Sequence, residues 1–180
     1  MPGRRNVIHT DDELQIGSKY LRYHIRMYVE TMLWLQSHPS PTGWDTVGNA
    51  VLEDHLVHAR ILINFFSKGD AHDRETDVLA EDFFHDLPNV FEPLKDRLLS
   101  DRAQDIGSQV VHITKKPMPK LRSQNDWPVR DIAVRLAPAI KPFLNAVPDH
   151  RLADGVKKDC LGYLAQFSTV VIHVSRHPST

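Results

Sequence analysis

The stretch LEDHLVHARILINFF, Leu52 to Phe66, constrains the fold more than any other part of the chain. It holds no glycine or proline, so nothing in it interrupts a helix. Placed at about 100° per residue, Leu52, Leu56, Ala59, Ile63 and Phe66 form one apolar stripe, with His55 and Leu62 at its edge. Val57, Ile61 and Phe65 form a second stripe on the opposite side. A helix that is apolar on two sides has to be packed on two sides, which places it centrally in a bundle.

Five ionisable residues, Glu53, Asp54, His55, His58 and Arg60, interrupt that pattern. Glu53, Arg60 and Asn64 share one stripe at spacings of seven and four, while Asp54 and His58 lie one turn apart on another edge. A charge buried without a partner costs several kcal/mol. The sequence therefore predicts a Glu53–Arg60 interaction in a mostly buried setting and a second pairing of Asp54 with His58.

The rest of the chain repeats the helical spacing between breaks. A first helix is predicted from Asp12 to about Gln36, with Leu14, Leu21, Ile25, Tyr28, Met32 and Leu35 on one seam. SHPSPTGWD ends it, and the central helix follows from about Asp45 to Ser67, closing at Lys68-Gly69. DVLAEDFF is a short helical piece closed by Pro88. A third region runs from Val90 to Ile113, divisible at Ser100-Asp101, which has the character of an N-cap.

KKPMPKLRSQND is a cationic loop. Asp126 caps a fourth helix, in which Pro138 and Pro142 predict a kink or break near Ala137. The fifth, Asp154 to Val174, is expected to bury Val156, Cys160, Leu164, Phe167, Val171 and Val174. No segment reads as a strand. The expected organisation is a flexible N-terminal tail over 1–10 and a single all-α domain over 11–176, an antiparallel bundle of four to five helices.

Composition narrows the function classes. At 180 residues, 41% apolar and 25% charged, the chain is an ordinary globular one, and its net charge of −1 supplies no global field toward nucleic acid or anionic membranes. The one cysteine suits a reducing, cytoplasmic setting, and nothing approaches the roughly 20 apolar residues of a membrane span. The eight glycines form no phosphate loop, and no Cys-x-x-Cys, His-Glu-x-x-His or Gly-x-Ser-x-Gly pattern occurs, so no cofactor is implied. Eleven histidines raise a metal question, but Asp82-Phe-Phe-His85 is a single motif where a di-iron bundle needs a pair. A mononuclear site would have to draw His24, His58 and His173 from separate helices.

Three segments together resemble a known group. They are the helix E-x-x-x-x-H-x-R-x-L-x-x-F-F from Glu53, the segment D-V-x-A-x-D-F-F from Asp77, and the helix end V-x-H-I-T from Val110. Over roughly residues 45 to 115 they are similar to bacterial all-helical proteins related to the HEPN superfamily (higher eukaryotes and prokaryotes nucleotide-binding).

The resemblance implies a HEPN-like helical bundle, a homodimer, and action on RNA or a nucleotide. That action is either metal-independent cleavage of a toxin or phage-defence type or binding alone. The catalytic spacing of such RNases is Arg, four to six residues, then His. Only Arg4 to His9 has it here, whereas nine residues separate Arg102 from His112.

The candidate site is therefore centred on His112 as proton carrier, with Arg60 as the fixed cation and His58 completing it. Glu53, Thr114, Lys115 and Lys116 are the candidate ligand-binding residues, the lysines opening a cluster with Lys120 and Arg122 that suits phosphate. The competing expectation is a non-enzymatic interaction module whose polar stripe only specifies packing.

Overall fold

The structure, a computed structural model, describes residues 8–39, 45–67, 76–87, 89–111 and 129–174. Within them the chain is all-α and no strand forms; a single bridge joins Ser67 to Leu94. The helices are α1 (Asp11–Ser37), α2 (Thr46–Phe66), α3 (Arg97–Ile106), α4 (Val129–Ala146) and α5 (Val156–Val174). Short 3-10 turns occupy Ala80–Phe84 and Asp149–Arg151, and a π turn, Gly107–Val111, prolongs α3.

Local chemistry sets the helix starts. Thr10 caps α1: its hydroxyl accepts from the Glu13 amide at 3.3 Å, while the Glu13 carboxylate accepts from the Thr10 amide at 2.8 Å. Asp45 caps α2 through the Gly48 amide at 2.8 Å. Asp96 caps α3 through the Leu98 and Leu99 amides, so this helix starts before the expected Ser100-Asp101 cap, and residues 91–96 are not helical. The second Asp96 oxygen takes Arg135 of α4 at 3.1 Å, which is why the cap belongs there.

α4 runs through Pro138 and Pro142 without the break that is one of the two expected outcomes near Ala137. Both prolines are exposed, so the carbonyls they leave without intrahelical donors lie on the solvent side, where water can satisfy them. The expected ends at Lys68-Gly69, Pro88 and Asp126 lie outside the described residues. Val156, Cys160 and Leu164 of α5 are buried as the spacing predicts, and Phe167, Val171 and Val174 lie outside the described side chains.

α2 packs on α1, α3 and α4, the central position its two apolar faces require. Phe143 of α4 meets Phe65 and Phe66 of α2, Phe83 and Phe84 of the 3-10 turn, and Phe91, with ring centroids 5.4 to 5.7 Å apart. Those edge-to-face contacts fix α4 and the 76–91 segment against α2.

Arg151, almost fully buried, ties the far side together. Its guanidinium donates to both Asp86 oxygens at 2.6 and 2.7 Å, to the Phe83 carbonyl at 2.7 Å and to Asp11 at 3.2 Å. Asp86 is held down to about 2, first by its hydrogen bond from Arg151.

α1 and α2 run in opposite directions, since His24 meets His58 while Thr31 meets His55. By contrast, Gln15 bonds His150, Ser18 bonds Ala153 and Arg22 bonds Asp159, so α5 starts in the same sense as α1. The tail expected over 1–10 is anchored at its end: His9 is buried and its ring nitrogen lies 3.1 Å from the Asp77 carbonyl.

Candidate functional site

The α1–α2 interface carries three histidines. The Nδ1 atoms of His24 and His58 are 2.8 Å apart, and His58 Nε2 lies 3.4 Å from Asp54, the one-turn pair that the sequence predicts. The carboxylate decides the tautomers. His58 presents Nε2–H to Asp54, so its Nδ1 is a lone pair and accepts from His24 Nδ1–H. His24 Nε2 is then the acceptor left at the end of the chain. Burial lowers the pKa of both rings, most directly by desolvation, so both are neutral near pH 7.

His55, one turn earlier, is fully buried with its ring stacked on Tyr28 at 4.6 Å. The Thr31 hydroxyl donates to the Met27 carbonyl at 2.7 Å, so at 3.0 Å it accepts from His55 Nδ1–H. His55 Nε2 is consequently a buried lone pair without a hydrogen-bond partner among the described residues. Desolvation pushes its pKa down to about 3.

His24 lines an open cavity of about 730 Å³ between α1, α2 and residues 76–79. Gly17 lies on the lining of that cavity. A Cβ there would approach Val78 to 3.1 Å, so a glycine in mid-helix lets the 76–79 segment cross close to α1.

Arg60 faces elsewhere. Two residues from His58, it points about 200° around the helix from it, and its guanidinium lies over Gly107 at the start of the π turn, where a Cβ would meet its Cζ at 3.0 Å. It is half-buried and has no carboxylate partner among the described residues. The structure thus separates His58 from Arg60.

Glu53 and Asn64 are exposed, and no hydrogen bond or ion pair joins Glu53 to Arg60, so the expected buried pairing does not form. The wheel places both on one stripe, but that stripe is exposed at Glu53 and Asn64 rather than buried. His112, Thr114, Lys115 and Lys116 lie outside the described residues.

No group of three or more His, Cys, Asp or Glu among the described residues is arranged to hold a metal ion. His24 and His58 do come together, but through a direct hydrogen bond, and the His173 side chain lies outside those described. Cys160 is buried, and desolvation lifts its thiol to about 12, which leaves it unreactive. Among the described residues no helix is long and apolar enough to cross a membrane.

The sequence named His24 and His58 together only as possible metal ligands; the feature it did not read is the direct hydrogen bond between them. No family model, curated protein or solved structure matches this chain.

Proposed function

We propose that the protein binds RNA or a nucleotide through phosphate contacts at the α2–α3 edge. Arg60 carries this assignment: a half-buried guanidinium without a carboxylate among the described residues, held against the Gly107 backbone. A cation fixed in this way, and already partly stripped of water, is suited to an incoming phosphate oxygen.

Two further features support it. Turns of the π type recur at functional positions in helices, and this one leads in sequence directly to His112, Thr114, Lys115 and Lys116. In this proposal the lysines add phosphate contacts, Thr114 orients a ligand oxygen, and His112 moves the proton if cleavage occurs. His58 belongs to the other face of α2 and is left out, as is Glu53, whose exposed carboxylate would repel the ligand. A homodimer is the assembly that the HEPN resemblance implies.

The test is fluorescence anisotropy with a labelled single-stranded RNA, from low to physiological salt, with a parallel cleavage gel in EDTA. Binding should weaken steeply as salt rises, and Arg60→Gln should weaken it about tenfold while Arg60→Lys restores part of the loss. If RNA fails to bind even at low salt, or if folded Arg60→Gln and His112→Ala variants bind like the parent, the polar residues of α2 serve packing alone. The protein would then be an interaction module.

A further inference from the structure

The Asp54–His58–His24 chain ends at the cavity beside α1, away from the Arg60 edge. His58 accepts from His24 Nδ1–H, so His24 Nε2 is the lone pair left over, on a partly exposed ring that lines the cavity. The Tyr23 ring stands edge-on to both imidazoles, with centroids 5.3 and 5.5 Å away, and helps to hold their planes. An acceptor already fixed in direction loses little entropy when it meets a donor.

The groove next to that nitrogen is apolar. Tyr20 and Leu21 lie one turn before His24 on α1, and Ile61 and Leu62 lie one turn after His58 on α2. Phe65 follows one turn further along α2, and Val78 crosses α1 at Gly17. From Gly17 to His24 the helix rises about 10 Å, the length of a fused bicyclic ring with a short side chain. Glu13 and Asp77 belong to the far end of the cavity, with His9, and take no part.

We infer that the His24–Gly17 half of the cavity binds a small, neutral, hydrophobic alcohol, its body along the apolar wall and its hydroxyl donating to His24 Nε2. An ammonium would have to shed its water against Leu21, Ile61 and Leu62. A carboxylate or an ether has no proton to donate. Arg60 plays no part in this site, so it and the RNA proposal can fail separately.

The experiment uses naphthalene probes of similar shape against the full chain: 2-naphthaleneethanol as the donor, its methyl ether as the analogue without a donor, and 2-naphthaleneethylamine as the cation. Binding is followed by calorimetry and by imidazole nitrogen NMR signals. The alcohol should bind saturably and shift the His24 Nε2 resonance, and the ether should bind about tenfold more weakly. His24→Phe, which keeps a ring beside Tyr23, should reduce alcohol affinity about tenfold and bring alcohol and ether level. Asp54→Ala, at a half-exposed position outside the cavity lining, should narrow the gap between alcohol and ether, because nothing then fixes the His58 tautomer. Ile61→Asp, at an exposed position that spares the core, should weaken both ligands.

Absence of saturable alcohol binding, or an ether that binds as tightly as the alcohol, would overturn the inference. So would alcohol affinity unchanged in folded His24→Phe or Ile61→Asp, an alcohol–ether gap unchanged in Asp54→Ala, or tighter binding of the amine than of the alcohol. Alcohol affinity that falls as protein concentration rises would overturn it too, because a second copy of the chain would then be the occupant.

Discussion

His55 makes this fold sensitive to mild acid. Its imidazole is buried, neutral and held near 3, against about 6.5 in an unfolded chain. Between those values the unfolded state binds a proton that the native state refuses, so stability rises with pH at about 1.4 kcal/mol per unit for this one group. It is fully present above about pH 6.5 and falls as pH drops toward 3. From pH 7 to 4.5 the loss from His55 alone comes to about 2.5 kcal/mol.

His24 and His58 are depressed in the same direction and add to that slope. Asp86, held down to about 2, is a depressed carboxylate whose contribution disappears only below about pH 4, outside this window. Urea unfolding at pH 7 and 4.5 measures the difference, with His55→Phe as the comparison, because phenylalanine keeps a ring against Tyr28 and cannot be protonated. The variant should lose about 2.5 kcal/mol less than the parent over that interval. If both lose the same amount, His55 is already protonated or hydrated in the native state, and the buried neutral ring with its unpartnered Nε2 is wrong.

Other perturbations test the remaining joints. Arg151→Ala removes a buried side chain and deprives the Phe83 carbonyl of its donor, and thermal or urea unfolding should show a loss of about 3 kcal/mol. Phe143→Ala opens the aromatic cluster that seats α4 and should cost about 4 kcal/mol by the same measurement. Gly107→Val displaces the Arg60 guanidinium without changing any charge, and anisotropy should show RNA binding weakened several-fold while circular dichroism stays helical.

Periodicity carried the fold. The main stripe of the Leu52–Phe66 helix is buried, while of the second only Phe65 packs against other rings and Ile61 stays exposed; the seam from Leu14 to Leu35 is buried as its spacing predicts. The starts of α1 and α2 were legible to about a residue, whereas the expected Ser100-Asp101 cap misled at α3, where a contact with Arg135, 39 residues away, selects Asp96. The prolines of α4 misled for a related reason: propensity counts their cost, but exposure decides whether it breaks the helix.

Asp54–His58 could be read from one-turn spacing, whereas Glu53–Arg60 could not. Two residues on one stripe share a direction, but the stripe's burial depends on where neighbouring helices end. His24 could be named only as a possible metal ligand, because the geometry that aims it at His58 depends on the crossing of two helices, which no single-helix pattern encodes.

The same-sense pairing of α1 with the start of α5 bears on the order in which the molecule assembles. The Ser18–Ala153 hydrogen bond spans 135 residues of sequence, while the His24–His58 contact spans 34. Closing the longer loop costs more chain entropy before any contact repays it. The α1–α2 pair can therefore form early, with α5 docking onto a framework already built. A truncation of a buried α5 side chain, such as Val156→Ala, should then leave the refolding rate almost unchanged and speed unfolding, whereas Leu56→Ala in α2 should slow refolding.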